Sequence, residues 1–230
     1  MQQKRLKQIN IILLVCAAAY LVYYDIAGSL WLKGVTSSWF VILGGVNLWA
    51  ARKVNRKQLR VFILMEAGLF CGMCADVLLG VVFFAGVGVF ALGHILYLAA
   101  FCVLEKYRPR DFLFSIPVAL ISLYIVLGTP WITVEDPAMR MVLLIYVLII
   151  SAMLGKAVSN LRCRPCLFRR LLAIGSVLFW FSDLVLAVDM FGQSSRLTWI
   201  LCSYSYWPAQ NLLAHSLFHA GAACADSKDL

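Results

Sequence analysis

Residues 68–79 read GLFCGMCADVLL and residues 175–186 read GSVLFWFSDLVL. Each stretch is long, apolar and helical in character, and each carries one aspartate, Asp76 or Asp183, eight residues after a glycine, Gly68 or Gly175. A carboxylate at the centre of a membrane helix costs about 2.5–3.5 kcal/mol on insertion scales, so it needs a partner or a task. Two of them at equivalent places in one chain predict helices packed around a single intramembrane polar site.

Working outward, the whole chain is apolar. Of 230 residues 63% are hydrophobic and 13% are charged, with a mean hydropathy of +0.89. That composition excludes a soluble domain and places the chain among polytopic membrane proteins. A spanning helix takes about 20 mostly apolar residues. Eight such stretches lie at 9–27, 34–51, 59–82, 83–104, 112–129, 139–158, 169–191 and 198–219. The third and fourth run together and require a tight turn near Gly80. The expected fold is therefore an all-α polytopic transmembrane bundle of eight helices, forming one integral membrane domain over 1–230.

The formal charge of +9 does not point to nucleic acid, because the charge is sorted by side. With eight helices, the N-terminal segment, the second, fourth and sixth loops and the tail hold seventeen of the twenty Lys and Arg residues. Lys33, Arg140 and Arg196 are alone on the other side. This follows the positive-inside rule at every loop and puts both termini in the cytoplasm. The first apolar run continues past Ala17, Ala18 and Ala19 to Ala27, so it reads as an uncleaved helix rather than a signal peptide. The membrane itself, bacterial cytoplasmic or endoplasmic reticulum, is left open. Of the eight cysteines (16, 71, 74, 102, 163, 166, 202, 224), two pairs have CxxC spacing, Cys71/Cys74 and Cys163/Cys166. The topology puts those pairs on opposite sides, which argues against one shared zinc site.

The halves 9–104 and 112–219 each hold four helices, with the acid on the third, as expected of two parallel repeats. Phe90 and His94 in the fourth helix stand in register with Tyr206 and Gln210 in the eighth. Gly68, Gly72 and Asp76 recur every four residues, giving a small-residue face that lets another helix come close. At about 1.5 Å rise per residue, Asp76, Asp183, Tyr206, His94 and Gln210 fall in one layer in the outer half of the bundle. His215 and His219 lie deeper, at the cytoplasmic interface, with Glu66 near His215 as an expected partner. Lys33 is the basic residue positioned to reach the acids. Two nearby carboxyls in low dielectric can divide their protonation, which suits one general acid and one general base.

GMCADVLLG, FALGHILYLAAF, LFWFSDLVLAVDMF and SYWPAQNLL together resemble the YhhN-like lysoplasmalogenase family. That family carries G-D-x-x-L, H-x-x-Y, S-D-x-x-x-A and Y-x-x-A-Q segments in the same order on eight helices. Asp76, His94, Tyr97, Ser182, Asp183, Tyr206 and Gln210 match those motifs. Ala75 stands where a glycine is usual, and Gly34 follows Lys33 where a proline or another residue is often seen. The resemblance implies hydrolysis of the vinyl-ether bond of a lysophospholipid substrate, a lysoplasmalogen, to a fatty aldehyde and glycerophosphocholine or glycerophosphoethanolamine. Asp76 and Asp183 would be catalytic, with Lys33, His94, Tyr97, Ser182, Tyr206 and Gln210 supporting, and no metal or cofactor is called for. Two other functions also fit an intramembrane acid pair: a proton-coupled transporter, and a non-enzymatic lipid-binding protein whose acids hold a headgroup ammonium.

Cysteine-accessibility labelling in a cysteine-free background checks the topology. Glu135→Cys, in the loop between the fifth and sixth helices, is expected to label from the non-cytoplasmic side; labelling from the cytoplasm alone overturns the charge-based orientation.

Overall fold

The computed structural model describes residues 2–51, 55–130 and 132–220. Arg52, Lys53 and Lys228, which enter the charge split, and Cys224 lie outside the described residues. Eight α-helices follow in chain order: α1 (Gln2–Ala27), α2 (Leu30–Ala50), α3 (Arg56–Leu78), α4 (Phe83–Leu104), α5 (Phe112–Gly128), α6 (Pro137–Cys163), α7 (Leu167–Phe191) and α8 (Arg196–Ser216). Short 3-10 turns precede α5 at Pro109–Asp111 and follow α8 at Leu217–His219, and no strand occurs among the described residues.

Six helices, α1 and α3 through α7, are long and apolar enough to cross a membrane. The eight expected helices are all present, and α2 and α8 are the two that fall short of the apolarity of the others. Both have the length, at 21 residues each. Polar residues are spread along them, however, with Lys33, Thr36, Ser37 and Asn47 in α2 and Ser203, Ser205, Gln210 and Asn211 in α8, so neither holds an unbroken stretch as apolar as the other six. These two helices pack on each other and on α3. Much of their polar surface therefore faces protein rather than hydrocarbon. On the outside of the bundle, large apolar side chains such as Ile12, Ile26, Leu113, Leu120 and Tyr124 are exposed, as a lipid-facing surface requires.

The helix ends obey local chemistry. Gly28, at φ 64°, ends α1 in the left-handed conformation that glycine adopts without strain and lets the chain reverse into α2. Asn55 accepts a hydrogen bond from the Gln58 N–H at the start of α3, and Asp136 caps α6 ahead of Pro137. Ser195 and Thr198 form a reciprocal capping box at the start of α8. The tight turn expected between α3 and α4 is present over 79–82, where Gly86 comes so close that a Cβ on it would lie 2.6 Å from the Leu79 nitrogen.

Several ends differ from expectation because charge and burial intervene. Helix α2 begins before Lys33, placing that lysine in its first turn. Helix α6 runs on to Cys163 and carries Lys156 inside it, buried rather than in a loop. The Lys156 ammonium is 2.8 Å from the Asp111 carboxylate and donates to the Lys106 carbonyl, while the Ser159 hydroxyl also donates to Asp111. With its charge neutralised there, Lys156 does not terminate the helix. Nearby, burial tends to raise the Glu105 carboxyl, but the hydrogen bond and charge of Arg169, with the charges of Arg164 and Lys57, outweigh it and hold Glu105 below the usual carboxylate range.

Packing relies on small residues, because lipid tails are as apolar as leucine and leave close van der Waals contact to drive association. Gly68 lies under the Tyr97 ring of α4, where a Cβ would be 2.5 Å away, and Gly175 lies against Leu213 and the Ala209 carbonyl of α8. Gly155 of α6 meets the backbone of Ser115 in α5, with 2.6 Å left for a Cβ. Because backbone cannot yield as a side chain end can, Gly155→Ala is expected to destabilise by about 1–3 kcal/mol. Gly88→Ala, with no neighbour within 4 Å, should change stability by less than about 0.5 kcal/mol. Thermal unfolding in detergent compares the two.

Candidate functional site

The face of α3 that carries Gly68 and Gly72 delivers Asp76 into the bundle, where it is 2% exposed. Two neighbouring helices receive it. Its Oδ2 accepts a hydrogen bond from the Ser37 hydroxyl of α2 at 2.5 Å and from the Tyr206 hydroxyl of α8 at 2.8 Å. The Lys33 ammonium is 3.7 Å from Oδ1. Behind this shell the bonds continue in one direction. Trp207 donates its indole N–H to Ser37, Gln210 donates its amide to the Tyr206 oxygen, and Tyr97 donates its hydroxyl to Gln210 at 2.7 Å. Each donor in the chain points toward Asp76. Gly72 makes room for it: a Cβ there would lie 2.5 Å from the Gln210 amide nitrogen.

Asp183 of α7 is held the same way by two other helices. The Tyr146 hydroxyl of α6 donates to its Oδ2 at 2.7 Å, and the His94 Nε2 of α4 lies 2.9 Å from the same oxygen. That histidine nitrogen is also 2.9 Å from the Tyr146 oxygen, while Nδ1 faces the Met153 sulfur at 3.4 Å. His94 is fully buried, packed against the Phe179 ring at 4.5 Å between centroids. Both bonds converge on Oδ2, leaving Oδ1 without a protein hydrogen bond among the described residues.

The two acids line one cavity of about 230 Å³. Lys33, Ser182, Asp189, Cys202, Ser203, Tyr206 and Trp207 share its wall, with Tyr24, Phe90 and Trp199 supplying aromatic surface. It lies at the end of the bundle where α1, α3 and α7 finish and α2 and α8 begin. Arg196 ties this end together by pairing with Asp25 and stacking over Trp199 at 4.5 Å.

Of the residues expected to form the site, Asp76, Asp183, Lys33, Ser182 and Tyr206 reach the cavity. Ser182 does so with its hydroxyl turned back to the Phe179 carbonyl. His94 and Gln210 stand one bond behind, gripping Asp183 and Tyr206 on its wall, and Tyr97 stands one bond further back, on Gln210. Ser37 and Tyr146 contact the acids directly and are absent from the sequence-based expectation. Tyr146 had a signal, as the lone hydroxyl in LLIYVLII (143–150). Ser37 had none, because Thr36, Ser37 and Ser38 are adjacent and which one faces the acid depends on how α2 is rotated. The expected Glu66–His215 pair does not form. His215 Nδ1 lies 3.0 Å from the Asn10 side-chain oxygen, within an Asn10–Asn47–His215 cluster joining α1, α2 and α8. Glu66 faces Gly44, and its Oε2 has no hydrogen-bond partner among the described residues. A residue's depth along its helix was insufficient to settle this pairing, since α3 turns Glu66 toward α2.

The chain of donors behind Asp76 makes a stability prediction. Gln210→Leu leaves the fully buried Tyr97 hydroxyl without its acceptor and should cost about 1–3 kcal/mol. Adding Tyr97→Phe removes the orphaned group and should return part of that loss, a non-additivity that unfolding measurements on the two single variants and the double variant would reveal.

No curated protein and no solved structure matches the chain. One family description does, and it runs from the middle of the second helix through the eighth, including both acids and, of the side chains that contact them, His94, Tyr146 and Tyr206. The match extends over residues 40–217, leaving only Lys33 and Ser37 just ahead of it. The chain is a member of the YhhN family, and several of its helices are apolar enough to make it an integral multi-pass membrane protein.

Proposed function

We propose that this protein is a lysoplasmalogenase-like membrane hydrolase, cleaving the vinyl-ether bond of lysoplasmalogens to a fatty aldehyde and glycerophosphocholine or glycerophosphoethanolamine. The observation that carries the proposal is the pair Asp76 and Asp183 on the wall of one cavity, held by separate sets of donors. Membership of the YhhN family supports it. A vinyl ether hydrolyses when a proton is added to its β-carbon. The oxygen lone pair then forms an oxocarbenium ion, water adds to the α-carbon, and the hemiacetal collapses. One neutral carboxyl can donate the proton, and one carboxylate can steady the cation and take a proton from water. Glycosidases meet a similar oxocarbenium problem with two carboxyl groups. Tyr206, with Gln210 and Tyr97 behind it, orients one acid; His94 and Tyr146 orient the other. Lys33 is the cation available to a headgroup phosphate, and the aromatic wall suits the lipid's glycerol and ammonium ends.

The same reading takes all eight helices across the membrane as a single domain over 1–230, with both termini in the cytoplasm. The charge split supports that orientation, and it puts the cavity mouth on the non-cytoplasmic side. Two parallel repeats are supported by matched packing. Gly68 sits on Tyr97 as Gly175 sits on Leu213, with the same offset separating Tyr97 from Leu213 as His94 from Gln210. Helix α2 packs on α8 as α6 packs on α4. The membrane, bacterial cytoplasmic or endoplasmic reticulum, follows from the host cell.

Asp76→Asn and Asp183→Asn keep size and hydrogen-bonding capacity while removing the titrating group. Each should lower aldehyde release from a vinyl-ether lysolipid by about 10²–10⁴-fold without preventing insertion. Parent-rate turnover in both variants, or none in the folded parent, would refute the hydrolase function. Proteoliposome proton flux that depends on the two acids would favour transport instead.

A further inference from the structure

A second cavity adjoins the first and differs from it in chemistry. Its wall is almost wholly apolar, built by Phe83 and Val87 of α4, Val126 of α5, Leu143 and Val147 of α6, and Ala187 of α7. The two cavities share Leu79, Phe90, Asp183, Leu186 and Met190, so Asp183 stands at the boundary between them and lines both. Asp76 and Lys33 touch only the polar cavity, whereas Tyr146 touches only the apolar one. At about 60 Å³ this space is a slot for the first carbons of a chain rather than for a whole lipid tail.

We propose that the apolar slot receives the hydrocarbon chain of the lipid substrate, which makes Asp183 the proton donor to the chain-side carbon and Asp76 the base that activates water at the glycerol-side carbon. The assignment rests on the vinyl-ether hydrolase function proposed above, and it follows from the asymmetry of the substrate. In R–CH=CH–O–glycerol the carbon that is protonated bears the chain, and the carbon that water attacks bears the oxygen. A chain in the slot and a headgroup near Lys33 put the first carbon beside Asp183 and the second on the side of Asp76. The environments agree. Asp76 has the Lys33 ammonium beside its Oδ1, as a carboxylate facing a cation would. Asp183 has no Lys or Arg in its ion-pair shell among the described residues, and its Oδ1 is free to carry a proton.

The cycle closes. The Asp183 O–H bond breaks, and the alkene π pair forms the new C–H bond at the chain-side carbon, while the ether oxygen lone pair forms C=O⁺. Water adds to the oxygen-bearing carbon of this oxocarbenium ion as Asp76 takes one of the water's protons, giving the hemiacetal. The C–O bond to glycerol then breaks with its electron pair going to the glycerol oxygen, which takes the proton from Asp76. Asp183 recovers a proton from the hemiacetal hydroxyl as the aldehyde forms. The titratable groups facing Asp183 are His94 from α4, Tyr146 from α6 and Cys202 from α8; those facing Asp76 are Tyr24 from α1, Lys33 from α2, and Cys202 and Tyr206 from α8; the two acids also share one cavity wall with each other and with Asp189 from α7.

Two measurements test this. The first needs no turnover: binding of 1-hexadecyl glycerophosphocholine, a saturated ether, to the purified protein in lipid nanodiscs. Ala187→Phe fills the slot and should weaken binding by about tenfold or more, as expected for carbons expelled from an apolar site. Leu143→Ala widens it from α6, and should admit a chain branched near the ether better than the parent does. If neither variant alters binding, the chain lies elsewhere and the proposal falls. The second is the pH profile of residual aldehyde release. Loss of the base removes the fall in activity at low pH, so Asp76→Asn should flatten the acid limb. Loss of the donor removes the fall at high pH, so Asp183→Asn should flatten the alkaline limb. The opposite pairing overturns the assignment. An inactive parent that still shows slot-dependent binding would reject the hydrolase function and, with it, the acid and base roles, while leaving the slot in place.

Discussion

Burying two carboxyl groups in a helix bundle surrounded by hydrocarbon is the constraint on which this structure turns. Neither acid can be satisfied within its own helix, because the backbone there is already hydrogen-bonded, Asp76 is flanked by Ala75 and Val77, and the one polar neighbour of Asp183, Ser182, donates its hydroxyl to the Phe179 carbonyl. Each must borrow donors from two other helices. Asp76 draws α2 and α8 against α3, and Asp183 draws α4 and α6 against α7. Four helix pairs, α2 with α3, α8 with α3, α4 with α7 and α6 with α7, are therefore linked through two carboxyl groups.

The magnitudes show why so many donors are needed. An acid at the centre of a membrane helix costs about 2.5–3.5 kcal/mol on insertion scales. A hydrogen bond to a charged group returns about 1.5–3 kcal/mol, so two donors per acid are enough to offset that cost and one is marginal. Asp76 has two hydroxyl donors and the Lys33 ammonium. Asp183 has a phenol and an imidazole. The glycines complete the balance, since Gly68 and Gly72 bring the α3 backbone close enough for Tyr97, Tyr206 and Gln210 to fit their polar ends beneath it. Bulk at either glycine would separate the helices that supply the donors.

The opposite end of the bundle solves a different problem with the same economy of partners. Lys156 and Asp111 neutralise each other under the 3-10 turn before α5, and Arg169 bridges Glu105 to the Asn160 carbonyl. These contacts pin α4, α6 and α7 together far from the cavity. The acids are thus held between a polar, cavity-bearing end and a tightly paired basic end, with the small-residue contacts between them setting helix spacing.

Local sequence was enough to determine the all-α class, the eight helices, the α3–α4 turn and the presence of two matched acids. Each of these depends on nearest neighbours along the chain: apolar run length, Gly and Pro at the turns, and the recurrence of small residues every four positions. Lys33 was likewise legible as the cation that reaches an acid, since few basic residues share its end. Helix rotation and lateral neighbours were decided only by tertiary packing. No periodicity reveals that Ser37 rather than Thr36 or Ser38 meets Asp76, that Tyr146 joins His94 at Asp183, or that Glu66 turns toward Gly44 instead of His215. Nor could the sequence divide the space around the acids into a polar cavity and an apolar slot. The physical reason is that a one-dimensional pattern gives depth along each helix, while the side chains that meet at one depth depend on which helices pack together and how each is turned about its axis.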